Sequence, residues 1–181
     1  MNNSKDILAK LLSTEDVQVV RASVPTASFD VKNRVLTLPT FVNLEESVEN
    51  LMIGHEVGHA LGLPHNMKAS SAYPVDSLRS GSFTQKYGIA TTIMDYARYN
   101  YIAQPGDKNI RFVRQLGPYD DYSIEWGYRY FPKETSETEK VFLNKMVNDR
   151  SMKPLFMFGS GGNDPNTQTE NIGDDPVRAS I

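Results

Sequence analysis

The sequence predicts an α+β domain: a small N-terminal sheet or hairpin, a helix carrying a histidine cluster, and a mostly helical and irregular C-terminal lobe. Three observations point there. Valine- and leucine-rich runs between residues 17 and 38, cut by Pro25 and Pro39, have strand character. An apolar-periodic segment from 44 to 61 meets Gly62 and Pro64, the residues that stop helices. After Gly117, turn residues open onto a second helical pattern.

The elements follow in order. KDILAKLL, residues 5–12, suits a short helix, and Val17, Val19, Val20 and Val24 read as strand until Pro25. SFDVKNRVLTLP reads as a hairpin, with Lys32 and Asn33 near the turn and Val35, Leu36 and Leu38 returning before Pro39. Asn43 is a candidate N-cap with Glu46 three residues on, and Glu45, Glu46 and Glu49 suit the positive end of a helix. Val48, Leu51, Met52 and Leu61 support that helix over 44–61.

Residues 66–90 are loop-rich, with a helical turn around Val75–Leu78. GPYDDYSIEWGYRYF predicts a helix in which Tyr122, Ile124, Trp126 and Tyr130 share a buried face, and a further short helix follows over 136–149. The tail, 159–181, is rich in Gly, Asn, Asp and Pro and reads as loop or disorder. Its acidic and amide residues do not match the calcium-loop spacing, so calcium is an alternative without motif support. The expectation is one domain over 1–181, with an N-terminal lobe 1–62, a C-terminal lobe 63–158 and the tail 159–181.

Composition narrows the chemistry. The chain has no cysteine, which excludes disulfides, thiolate zinc sites and cysteine nucleophiles. Any metal must therefore be held by nitrogen and oxygen. The net charge of -3 and the scatter of Lys and Arg argue against nucleic acid as a partner. MNNSKDILAKLLSTEDVQ holds no apolar stretch of signal-peptide length, and no segment approaches the roughly 18 to 20 apolar residues of a membrane span. As given, the chain reads as cytoplasmic, with neither an export signal nor a membrane span.

All three histidines lie in HEVGHALGLPHN, residues 55–66. His55 and His59 are four apart on one helix, so both rings face the same way about 5 to 6 Å apart and can reach one ion. Had the helix continued, His65 would be turned by about 240° and displaced by about 9 Å. Gly62 can take the left-handed conformation that ends a helix and Pro64 cannot continue one, so the chain can turn and bring His65 back. Three imidazoles leave a fourth position open, as in catalytic rather than structural zinc sites. Glu56, about 100° around the helix from His55, stands beside the metal and can act as general base and acid on a water. The chemistry implied is amide hydrolysis with one catalytic Zn2+, acting on a peptide or protein substrate.

The full HExxHxxGxxH pattern resembles that of the metzincin zinc peptidases. The resemblance implies a methionine-bearing turn after the histidines, and Met94 in TTIMDY matches it. In the family this methionine makes an apolar floor under the zinc site, so Met94 and Gly62 are implied as structural support. Tyr96 stands two residues later, where astacin-like and serralysin-like members carry a tyrosine that stabilises the oxyanion; a purely structural tyrosine is the alternative reading. GPYDDYSIEWGY resembles the family's C-terminal helix, whose opening acidic residue braces the turn; Asp120 or Asp121 matches it, an N-cap being the simpler role for either.

LGLPHNMKASSAY, IMDYARYNY, LGPYDDYSIEWGY and the late GDDP are similar to a group of large predicted bacterial zinc-dependent metalloproteases, over about residues 55 to 176. That likeness suggests a secreted or periplasmic protein. FDVKNRVLTLP leading into GHEVGHAL resembles phage-encoded zinc peptidases instead, and only 54 residues precede His55 where metzincins place a longer lobe. The family's substrate-pairing edge strand is implied for residues 34–38. Alternatives to a zinc endopeptidase are a zinc-containing peptide-binding module and an inactive fragment of a larger metalloprotease. Glu56 favours the enzyme, because a binding module has no evident need of it.

Overall fold

The computed structural model describes residues 18–22, 28–30, 35–39, 46–97 and 99–180, in two compact units, Met1–Pro64 and His65–Ile181. In the first unit, β1 (Gln18–Ala22), β2 (Ser28–Asp30) and β3 (Val35–Pro39) pair in the order β1-β3-β2. β2 and β3 run antiparallel, with Asp30 opposite Val35, which is the pairing of the expected hairpin. β1 joins parallel to β3, with Gln18 opposite Val35 and Ala22 opposite Pro39. Pro39 ends the central strand, where its missing N–H stops the ladder. The helix expected at 5–12, Lys32 and Asn33 of the turn, and Asn43 and Glu45 of the cap lie outside the described residues. Helix α1 (Glu46–Ala60) lies against β2.

The expected α+β class is corrected by what builds the core. An α+β domain needs a sheet that gives one face to the hydrophobic interior. From Glu46 onward every regular element among the described residues is helical, and the larger unit contains no described strand. The described hydrophobic core cluster belongs wholly to that unit and draws on helices and irregular segments. The three strands are only three to five residues long, so among the described residues the fold is helical in class.

The second unit carries α2 (Val75–Leu78), α3 (Gly81–Tyr87), α4 (Pro118–Tyr128), α5 (Ser136–Arg150) and α6 (Pro176–Ala179). Leu78, Ile89 and Ile172 are wholly buried at 0% exposure, each contributing roughly 1.5–3 kcal/mol by leaving water. Ser80 caps α3 by accepting the Phe83 N–H at 3.4 Å, and Thr135 caps α5 by accepting that of Thr138. α4 begins at Pro118, where a missing N–H costs nothing. It abuts residue 91: the Tyr119 N–H donates to the Thr91 carbonyl at 3.0 Å, and a Cβ on Gly117 would collide with that carbonyl.

Two sequence readings change here. The aromatic face expected on α4 is not buried: Trp126 is 47% exposed, and Tyr130, beyond the helix end, is 84% exposed. The tail is loop-rich, as expected, yet it is stitched to residues 70–76. Gly173 N–H donates to Ser70 O at 2.9 Å, Asp174 N–H to Tyr73 O at 3.0 Å, and Ile172 enters the core. No helix among the described residues is long and apolar enough to cross a membrane.

Candidate metal centre

Helical periodicity sets the first two histidines. The rings of His55 and His59 stand 4.7 Å apart between centroids, at 89° to each other. The Nδ1–H of His59 donates to the Leu63 carbonyl at 2.9 Å; a carbonyl can only accept, so Nδ1 carries the proton and Nε2 carries the lone pair a metal needs. Leu63 reaches that place because the helix ends in a tight reversal. Gly62 has φ of 82°, the Gly62 N–H donates to His59 O at 2.9 Å, and the Leu63 N–H donates to Gly58 O at 3.0 Å. These two bonds are the paired closure of a glycine-ended helix.

One ligand atom each from His55, His59 and His65 lies within 4.8 Å of the other two, and all three residues are half-buried. Nitrogens on a tetrahedral zinc ion at about 2.1 Å would be roughly 3.4 Å apart, and the three residues are of the type that holds such an ion. An all-nitrogen set without sulfur fits zinc and leaves room for a further ligand. Glu56, next to His55 on α1, is half-buried; burial raises its pKa, and the neighbouring His59 opposes the rise.

Within the second unit, His65 is tied to the methionine turn. The ring of Tyr96 lies 4.3 Å from that of His65, tilted by 55°. The N–H of Asn66 donates to the carbonyl of Met94 at 3.1 Å, and the Met94 side chain is buried at 1% exposure. The turn is held from several directions. Asp120, 3% exposed, accepts the Thr92 hydroxyl, the Ile93 N–H at 3.1 Å and the Gly117 N–H at 2.8 Å. It therefore braces the turn and caps α4 at once, while Asp121 is exposed. Arg114 donates to the Ile93 carbonyl at 2.8 Å.

Asp95, between Met94 and Tyr96, accepts the Ser70 N–H at 2.7 Å and the Ala97 N–H at 2.9 Å. Burial pushes Asp95 and Asp120 each up to about 6 despite these bonds, with Arg114 pulling Asp95 down and Asp121 pushing Asp120 further up. Sequence reasoning missed Asn66 and Asp95. Their only signal was position, one directly after the third histidine and the other directly after the methionine.

A family model described as Met-zincin matches residues 46–181. No curated protein and no solved structure gave a significant match. The matched span takes in the helix with His55 and His59, the reversal to His65 and the turn of Met94, and it covers most of the chain. The chain belongs to the Met-zincin family, and its histidine triad is able to bind a metal ion.

Proposed function

We propose that this protein is a zinc-dependent endopeptidase that hydrolyses peptide bonds in peptide or protein substrates. The observation that carries the reading is the convergence of three histidine nitrogens beside a glutamate one residue from the first. His55, His59 and His65 would hold one zinc ion, which when bound supplies Lewis acidity and lowers the pKa of water toward about 7.

The chain's own groups do the rest. The Glu56 carboxylate takes a proton from the attacking water as the water oxygen adds to the peptide carbonyl carbon. It returns that proton to the amide nitrogen as the C–N bond breaks, so both products leave neutral in proton count. The Leu63 carbonyl keeps the proton of His59 on Nδ1. Tyr96, beside His65, can donate its hydroxyl to the carbonyl oxygen as negative charge grows there. Gly62 and Met94 support the geometry without touching substrate.

Digestion of unfolded casein and a peptide library by Glu56→Gln tests the reading. The variant is expected to keep zinc and lose turnover by about 10²- to 10⁴-fold; unchanged turnover would remove Glu56 from the mechanism.

A further inference from the structure

His55 and His59 take their positions from a helix, whereas His65 sits in an irregular stretch, residues 63–66. Something other than local periodicity must set the third ligand. The residue behind it, Asn66, is wholly buried at 0% exposure. Its backbone N–H is on Met94 O at 3.1 Å; its side-chain Nδ2 donates to Met157 O at 3.0 Å; its Oδ1 accepts the N–H of Gly159 at 3.0 Å and of Lys68 at 3.2 Å. The Met67 N–H adds a bond to Gly159 O at 2.7 Å.

We propose that Asn66 is a positioning residue for the third metal ligand, fixing His65 by tying it at once to the Met94 turn and to the 157–159 segment; this rests on the zinc-site reading above. The partners set the chemistry required. A carbonyl at 157 needs a donor and an N–H at 159 needs an acceptor, and a primary amide offers both from one short side chain. Aspartate would keep the shape but turn the donor edge into an acceptor facing a carbonyl, at a fully buried position. Gly159 lets the segment come this close: a Cβ there would run into Thr167 Cγ2 and press on Lys68 Cβ. Loss of a group that orients a metal ligand typically weakens metal binding by about 10- to 100-fold.

The test uses the full chain and two metals. Zinc affinity is measured by competition with a chromophoric chelator, and cobalt(II) replaces zinc to report ligand geometry in its visible spectrum. Asn100→Asp is the control, because Asn100 is also enclosed in the same unit, at 1% exposure, and its Nδ2 donates to the carbonyls of Leu78 at 2.7 Å and Arg111 at 3.5 Å, neither next to a histidine ligand in the chain.

Asn66→Asp is expected to weaken zinc binding by about 10- to 100-fold and to shift the cobalt spectrum. Asn100→Asp is expected to lower the melting temperature and move neither readout. A folded Asn66→Asp protein with unchanged affinity and spectrum, or an equal loss of affinity in Asn100→Asp, overturns the proposal.

If Asn66→Asp does not fold, Gly159→Ala decides. It should weaken zinc binding, and adding Thr167→Ser, which removes the obstructing methyl, should restore it; unchanged affinity in Gly159→Ala overturns the role. A wild-type chain that binds neither metal takes down the zinc-site reading itself, whereas tight wild-type binding with an indifferent position 66 removes only the positioning role.

Discussion

The Nδ1–H of His59 donates to the carbonyl of Leu63 at 2.9 Å, across the reversal that Gly62 makes at φ of 82°. One turn of chain thus selects the tautomer of the second histidine and redirects the chain toward the third.

Gly62→Ala is expected to destabilise the protein by about 1–2 kcal/mol, the cost of a left-handed conformation in a residue with a Cβ. Nothing lies within 4 Å of the added Cβ, so the cost is conformational strain and not a clash. Gly62→Asn should cost less, because Asn tolerates this region. Urea unfolding of the metal-free protein measures both, and equal stability of all three proteins would contradict the account.

Tyr96→Phe separates catalysis from metal binding. Tyr96 is 38% exposed and its ring lies 4.3 Å from that of His65, so the ring can stay while the hydroxyl is lost. If that hydroxyl stabilises the oxyanion, kcat should fall about 10²- to 10³-fold with zinc affinity unchanged. Full kcat in the variant assigns Tyr96 to packing alone.

The buried carboxylates predict an unusual pH dependence. Asp95 and Asp120 titrate at about 6 in the fold, against about 3.9 in an unfolded chain. Between those values the folded state holds more protons than the unfolded state. Their contribution to stability therefore falls as pH rises from about 4 to 6 and is lowest at neutral pH.

The metal-free Asp120→Asn protein should accordingly lose less stability than wild type between pH 5 and 7, by on the order of 1 kcal/mol or more. The histidines are common to both proteins, so the difference isolates the carboxylate. Parallel stability curves would show that Asp120 is not raised.

The histidine centre was legible because metal chemistry constrains spacing within a single short segment. Residues four apart on a helix face one way, and a glycine followed two residues later by proline permits the return of His65. The supports of that centre were hidden because they are distant in sequence: Asn66 bonds to Met157 and Gly159, and Asp120 to Thr92 and Ile93. No local pattern announces such pairs.

Among the described residues, the valine-rich N-terminal runs form three short strands, of which β2 and β3 pair antiparallel. Strand character misled at the level of class, because every described element from Glu46 onward is helical and the described core cluster lies in the larger unit. The aromatics of α4 misled similarly, as periodicity marks a helical face but not whether anything covers it. In the tail, polar composition concealed one isoleucine, Ile172, that anchors the segment in the core.

The most direct test of the metal centre is X-ray absorption at the zinc edge of the loaded full chain. The account predicts one zinc per chain, with three imidazole nitrogens and one further light ligand at about 2.0–2.1 Å. A shell with fewer than three imidazoles, or an octahedral all-oxygen shell, would contradict it.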